Sequence, residues 1–404
     1  MNAGNITGIG AAGLHGFLMV TRSGLERRAL AALDASPSRI PVILGGCGTG
    51  RTHLLHRLRD RLGRTSSQYL DIERTATTPE RFQTALTSTT PFRSTPPARP
   101  PATREAFDAT LAFLDTTRGS ANEPVTFLLD EVLELRTFES FPGLRHVLRE
   151  LLDRLAASGN RFVLTTRYVN RAHRLLRDAT PRFEVIHMPP LSGDETQELL
   201  ETLSAGTTPV DLEGQGRAVH LLADARPGYV RALVDSLVSM YEREGAGDPV
   251  SALTALLAPD GRLAAACCFS YERRLHRARG YGALKAILEI LSQEEPLTLT
   301  EIAHRLRRTP GSTKDYLSWL DDVDLVTARQ KRYSFADPLL RLWVRLYCRA
   351  QPPTEEELAR EVQAYTLARL PHSEPEMALA TAAAAAAELA GDERKPSWGI
   401  IEID

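Results

Sequence analysis

Residues 42 to 55 read VILGGCGTGRTHLL, and their types and order suit one kind of chemistry. A glycine-rich turn between an apolar strand and a helix lets backbone N–H groups approach phosphate oxygens closely. The helix N-terminus adds its partial positive charge. The spacing follows the phosphate-cradle pattern G-x-x-x-x-G-K-[ST] from Gly45 through Gly50 to Thr52, except that Arg51 stands where a lysine is expected. Gly45, Gly46, Gly48, Thr49, Gly50, Arg51, Thr52 and His53 are therefore the expected phosphate-binding set. Thr52 offers its hydroxyl to Mg²⁺, and residue 51 offers a cation to the β- and γ-phosphates of ATP.

Two further stretches supply the rest of that chemistry. VTFLLDEV at 125–132 is an apolar strand ending in Asp130 and Glu131. Asp130 suits a Mg²⁺ held through water and Glu131 suits polarising an attacking water, because open α/β sheets bind ligands at the carboxyl ends of their strands. RFVLTTR at 161–167 ends in polar residues, which puts Thr166 and Arg167 beside the γ-phosphate. Arginine at 51 keeps the charge but is longer, planar and forked. Misplacement of about 1 Å costs roughly a hundredfold in rate, so nucleotide binding with slow turnover is expected. His53 and His56 also read as packing or surface residues. Oxidation of Cys47, inside the turn, would block the site. Arg177 and Arg182 are candidates for an arginine finger reaching a neighbouring subunit.

These side chains need a scaffold. Apolar strands at 42–44, 68–72, 125–132, 161–167 and 183–188 alternate with amphipathic helices, which predicts an α/β fold with a five-stranded parallel sheet covered on both faces. The Thr- and Pro-rich stretch 75–104 predicts a short helix near Phe82–Leu86 and a flexible excursion. From Ser192 the pattern is purely helical. From about Tyr281 it predicts three helices, one opened by a Thr298/Glu301 capping box, and a two-stranded ribbon around the basic turn ARQKR. That order is a winged helix-turn-helix. Its third helix carries Lys314, preceded by Arg308, and its wing carries Arg329, Lys331 and Arg332, which would contact phosphates of duplex DNA. Asp315, Asp321, Asp322 and Asp324 are expected to neutralise much of that face, so protein docking is the competing reading.

These motifs resemble those of AAA+/STAND-type P-loop ATPases, most of all the archaeal-type group that includes origin-recognition proteins. VILGGCGTGRT is similar to the Walker A motif, VTFLLDEV to Walker B and LTTR to the sensor-1 strand. MPPLSGDETQELL resembles the opening of the helical lid, and TRSGLERRAL at 21–30 the stretch that packs near the adenine. RPGYVRAL at 226–233 resembles the lid element that bears a sensor-2 arginine, which implies Arg231. YSFADPLLRLWVRLY at 333–347 is similar to the end of the winged helix. Arg51, and Ala225 where the lid motif has glycine, are departures. The resemblance, which covers roughly residues 20 to 350, implies an ATPase core at 1–190, a helical lid at 191–275 and a winged helix at 276–350. It also implies a nucleotide-dependent switch or remodeller. Beyond it the alanine run 381–387 predicts, by propensity, a helical, Ala-rich tail at 351–404.

Composition sets outer bounds. The 404 residues suffice for two or three domains, and 43% hydrophobic with 25% charged residues is ordinary for a globular chain. A net charge of −2 means that nucleic-acid binding must come from a local patch. Lys285, Lys314, Lys331 and Lys395 are the only lysines, so Arg51 also fits a chain-wide bias to arginine. Four cysteines without metal spacing, no signal-like start and no membrane-length apolar run predict a cytosolic protein with no membrane segment. Its partners would be ATP, duplex DNA, other proteins or further copies of itself.

Overall fold

A computed structural model describes residues 22–92, 102–204, 212–275, 278 and 280–370. In the first half strands and helices alternate. The order is α1 (Ser23–Asp34), β1 (Ile40–Leu44), α2 (Arg51–Leu62), β2 (Ser67–Asp71), α3 (Ile72–Thr75), α4 (Pro79–Ser88) and α5 (Thr103–Thr116). It continues with β3 (Thr126–Asp130), a 3₁₀ segment (Val132–Ser140), α6 (Val147–Ala157), β4 (Arg161–Thr166), α7 (Val169–Leu176) and β5 (Phe183–His187). The strands form one parallel sheet in the order β2-β3-β4-β1-β5. Its register pairs Asp71 with Asp130, Leu129 with Leu164 and Leu44 with Thr166. The carboxyl ends of β1, β3 and β4 therefore meet along one edge.

Side-chain alternation decides what each strand end presents. Ile43, Leu128, Val163 and Ile186 share a core with Leu54, Leu55 and Leu58 of α2. Leu44, Phe127, Leu129, Phe162 and Leu164 lie in the core shared with α5 and α6. Asp130 and Thr165 continue the α2 side, whereas Thr166 continues the other. The positions of α2 are fixed by left-handed glycines at both ends, Gly50 at φ 90° and Gly63 at φ 91°, a conformation glycine adopts without steric cost.

The second half is helical: α8 (Gly193–Leu203), α9 (Leu212–Leu222), α10 (Pro227–Glu244), α11 (Pro249–Leu257) and α12 (Arg262–Leu275). Ser192 and Glu195 make the capping box of α8, and Pro227 opens α10 at a position that needs no N–H. There follow α13 (Tyr281–Gln293), β6 (Leu297–Thr298), α14 (Leu299–Leu306), α15 (Pro310–Asp322), β7 (Val326–Arg329), β8 (Arg332–Phe335), α16 (Pro338–Tyr347) and α17 (Glu355–Leu367). The Thr298/Glu301 box caps α14 as its sequence requires. The ribbon gains a third strand, with sheet order β6-β8-β7.

Several expectations need correction. The third strand stops at Asp130; Glu131 takes a left-handed backbone (φ 58°) and the chain turns into the 3₁₀ segment. Helix α12 was not foreseen, because its AAACC run shows no clear apolar period. Beyond residue 350, where a helical tail was expected, α17 packs on α11 and α16 through Leu358 and Val362. Helix α16 belongs to two cores: Leu340, Trp343 and Val344 join the one shared with the sheet, and Leu339, Leu342 and Leu346 the one formed by α8 to α11. The alanine run 381–387, residues 1–21 and residues 93–101 of the expected excursion lie outside the described residues. No single described helix is long and apolar enough to cross a membrane.

Of the four acids expected on the basic face, Asp315 is exposed beside Lys314, but the three at and just beyond the end of α15 turn to α7. Asp322 pairs with Arg171 and Arg174 of α7, and Asp321 accepts from Asn170. Asp324 accepts from the N–H of Val169, at 2.9 Å, capping the start of α7. They dock the C-terminal elements onto α7, which offers them two arginines, the Asn170 side-chain amide and the Val169 N–H. Burial pushes the Asp324 carboxyl up to about 6. A carboxyl whose folded value is raised binds its proton more tightly in the fold, so its ionisation costs stability progressively between pH 3.8 and about 6 and fully above. Asp324→Asn keeps an acceptor and removes the charge. Relative to the parent it should gain about 2 kcal/mol between pH 4 and pH 7 in chemical denaturation. A flat difference across that range would contradict the burial.

Candidate nucleotide site

The turn between β1 and α2 is built for close approach. Gly48 and Gly50 hold positive φ (76° and 90°), and a Cβ on Gly45 would meet Thr49 Oγ1 at 2.7 Å and Met188 Cβ at 2.8 Å. The backbone N–H groups of Gly46 through His53 find no hydrogen-bond acceptor among the described residues. Eight consecutive donors left in this way, the last three in the first turn of α2, are of the kind that suits an anion. Thr52 Oγ1 donates to Asp130 Oδ2 at 2.7 Å. Asp130 also accepts from Tyr69 Oη at 3.0 Å and from Thr165 Oγ1. The hydroxyl and carboxylate that sequence assigned to Mg²⁺ thus adjoin each other, and the donor set fits a hard cation that keeps several waters.

Arg51 departs from expectation. Its guanidinium folds back on its own turn, donating to the carbonyls of Gly45 and Gly46 and pairing with Glu131. Glu131 is also gripped by Arg167, whose N–H donates to Oε2 at 3.0 Å and whose Nε lies 3.3 Å away. Arg167 reaches on to Glu73 of α3, which pairs with Arg273 of α12. A chain of alternating charge, buried from Arg51 through Glu131 to Arg167, therefore runs on through the half-buried Glu73 to Arg273. Burial works to raise the Glu131 carboxyl, but Arg51 and Arg167 outweigh it and hold it down to about 2. Its pairing stabilises the fold fully above the unfolded value of 4.5 and is lost as the pH falls toward 2.

Thr166 is buried and accepts from the N–H of Tyr168, at 3.2 Å. It is Thr165, the residue before it on the same polar strand end, that joins the acids, donating to Asp130 and accepting from the N–H of Glu131 at 3.1 Å. Strand alternation was the signal that would have found it. Arg231 pairs with Asp235 of its own helix at 2.7 Å. The arginine that faces the turn is Arg226, whose Nη1 would lie 3.6 Å from a Cβ on Gly46. Arg226 also pairs with Asp337 at 3.3 Å, beside the start of α16. One residue on, the N–H of Gly228 donates to Gly48 O at 3.0 Å, so the start of α10 rests directly on the turn.

Cys47 sits under α12, where Arg274 Nη2 donates to its sulfur at 2.7 Å. Burial opposes its ionisation, yet Arg274, Arg167 and Arg51 together lower its pKa. Arg182, a finger candidate, instead clamps the carbonyls of Ser38, Ala156 and Ser158 at 2.9, 2.7 and 2.7 Å. Arg177 is exposed at the end of α7. His53 lines a cleft between α1, α2, α8 and α10, with Arg22, Leu54, Met188, Leu191 and Pro227. Burial first, then Arg57 and His56, lower the His53 pKa. The cleft holds about 20 Å³, room for one water and not for a purine. His56 lies against the Tyr69 ring, centroids 4.4 Å apart. In the C-terminal elements Arg308, Lys314, Arg329, Lys331 and Arg332 are all exposed. Arg308 lies over the Tyr316 ring, and Arg332 donates to Pro296 O at 3.1 Å.

A parallel sheet of this strand order, a glycine turn leading from β1 into α2 and an acidic pair at the carboxyl end of β3 define the α/β P-loop NTPase fold of AAA+ type. No protein-family model matches the chain, and no curated protein matches it. Among solved structures it is similar to the Walker-type ATPase PABY2304 of Pyrococcus abyssi, with TM-score 0.60 and 18% identity over 81% of this chain and 96% of that one. At that identity the likeness speaks to the fold alone. It also matches, more loosely, the ORC1 protein of Aeropyrum pernix in complex with DNA (TM-score 0.45, 16% identity, 81% of this chain and 92% of that one). RuvB of Thermotoga maritima matches at TM-score 0.43 and 13% identity, over 78% of this chain and 92% of that one.

Proposed function

We propose that the chain is an ATP-binding switch of AAA+/STAND type. The ATPase core is 1–190, the lid 191–275, the winged helix 276–350 and the tail 351–404. The observation that carries the reading is the cradle itself: free amides from Gly46 to His53 beside a Thr52–Asp130 contact of 2.7 Å. The amides and the start of α2 hold the phosphates, and Thr52 and Asp130 hold Mg²⁺. Held by those residues, the ion would supply charge neutralisation for the triphosphate. Glu131 orients and deprotonates the attacking water. Held by Arg51 and Arg167 it is a poor base, because its proton affinity is far below that of a group matched to neutral pH. Turnover therefore requires both guanidiniums to let go of Glu131 and turn to the phosphates.

A second conformation follows from the same contacts. Purine entry needs the lid helices to part from α1, which moves Gly228 and Arg226 off the turn. Arg226 carries that motion to Asp337 and the winged helix, so a triphosphate selects between two arrangements by its unequal contacts with them. The exposed Arg308, Lys314 and wing cations, with Asp321, Asp322 and Asp324 turned toward α7 and Asp315 the one acid of that set left exposed, support duplex DNA as the partner. Four free cysteines are in keeping with a cytoplasmic setting. One observation favours a second reading, a non-hydrolysing regulator or docking scaffold: Arg51 is engaged with its own turn and Glu131.

Equilibrium binding of ATP with Mg²⁺, alongside single-turnover hydrolysis, tests the proposal. Thr52→Ala and Asp130→Ala should each weaken Mg²⁺-dependent binding by roughly tenfold or more, about the value of one charge-assisted contact. Binding equally tight in both variants removes the metal site and the reading with it.

A further inference from the structure

Beside the nucleotide site lies a groove of about 420 Å³ between the 3₁₀ segment, α6, α7 and the end of α15. Four arginines line it: Arg136, Arg149, Arg171 and Arg174, with His146. The acids there are Glu139, which pairs with Arg136 at 3.3 Å, and Asp322, which pairs with Arg171 and Arg174. Four guanidiniums against two carboxylates leave the groove cationic at neutral pH. Arg149 is exposed. Helix α6 starts at the same place with no side-chain cap, and the N–H groups of Val147, Leu148 and Arg149 find no acceptor among the described residues. Guanidinium forks and free helix amides are the donors that match phosphate geometry.

The walls of the groove hang on the catalytic elements. The 3₁₀ segment begins at the residue after Glu131, and α7 begins two residues after Arg167. The two walls are joined by Tyr168 Oη donating to Glu134 Oε1 at 2.8 Å. The fourth wall is the end of α15, the helix assigned above to DNA.

We propose that this groove is a second phosphate-backbone site, in which duplex DNA leaving α15 lies across Arg136 and Arg149 while α6 presents its amides. The inference rests on the DNA reading of the winged helix and extends it with a contact on the ATPase core. DNA seated there presses on the segments that start at Glu131 and Arg167, so its binding promotes release of Glu131 and raises ATP turnover. A protein strand of acidic residues is the rival occupant. The planar forks and the helix amides favour phosphates, which accept several such bonds per group.

The test compares the full chain with two variants, Arg136→Ala/Arg149→Ala in the groove and Arg329→Ala/Lys331→Ala/Arg332→Ala in the wing. Affinity for random-sequence duplex DNA is measured from about 50 to about 200 mM salt, with and without ATP–Mg²⁺. The groove variant should bind roughly tenfold more weakly at the lower salt, and its log–log salt slope should shrink by about 2. It should also lose DNA stimulation of ATP turnover while keeping its melting temperature and ATP affinity. Arg136→Lys/Arg149→Lys, which retains the charges, should restore most of the slope. An unchanged slope in the groove variant, with a reduced one in the wing variant, overturns the groove and leaves the DNA reading standing. Failure of the unaltered chain to bind DNA at all overturns both. Competition by poly-glutamate as effective as by DNA, per charge, assigns the groove to an acidic protein and overturns the phosphate site.

Discussion

Replacing Arg51 by lysine should raise single-turnover ATP hydrolysis by about tenfold to a hundredfold. The gain follows from what the guanidinium does now. Its fork spans the carbonyls of Gly45 and Gly46 and the carboxylate of Glu131 at once, a set of bonds that a point-charge ammonium cannot make together. Lysine at the same position leaves Glu131 with Arg167 alone and frees the residue 51 cation for the phosphates, where charge develops as the bond breaks. Misplacement of about 1 Å in such a contact is worth roughly a hundredfold, which sets the upper end of the range. ATP affinity should change little, because the amides from Gly46 to His53 carry the binding. A slower Arg51→Lys protein would mean that arginine is the working residue of this site and not a brake.

Glu131→Gln should destabilise the nucleotide-free protein by about 3–5 kcal/mol, the usual consequence of removing one partner from a buried ion pair. Glu131 stands between two guanidiniums that are themselves buried, with Arg51 7% and Arg167 6% exposed. Without its charge they repel each other and Arg274, which lies against the same turn. ATP with Mg²⁺ should recover much of the loss, because the triphosphate returns negative charge to the cluster, and stabilisation by a ligand grows with its concentration over its dissociation constant. The variant should hydrolyse ATP at background rate and still bind it. Chemical denaturation with and without nucleotide reads both effects. A Glu131→Gln protein as stable as the parent, indifferent to nucleotide, would show that the carboxylate carries no buried charge in solution.

The chemistry was legible in the sequence wherever it depended on neighbours along the chain. The turn from Gly45 to Thr52, the apolar strand ending at Asp130 and the Thr298/Glu301 box are local patterns, and each produced its element because backbone sterics and hydrogen bonding act over a few residues. The alternation of strands and helices determined the five-stranded sheet in the same way. The pairing of Thr52 with Asp130 was also foreseen, since a parallel sheet aligns the carboxyl ends of its strands.

Tertiary structure alone decided which charges meet. Arg51 turned to Glu131 because the strand ends of β1 and β3 bring a buried carboxylate within reach of a long fork, an outcome that depends on the dihedrals of Arg51 and not on its neighbours in sequence. Thr165 displaced Thr166 at the acids through strand alternation, which the sequence held but which needs the identity of the α2 face to be read. Arg226, Arg274 and Asp324 reach the site or its support from the start of α10, from α12 and from just beyond α15, all distant in the chain. Long-range electrostatic partners are chosen by how whole layers pack. One sequence fixes its local turns by sterics, but its buried charges find their counterparts only when those layers have closed on each other.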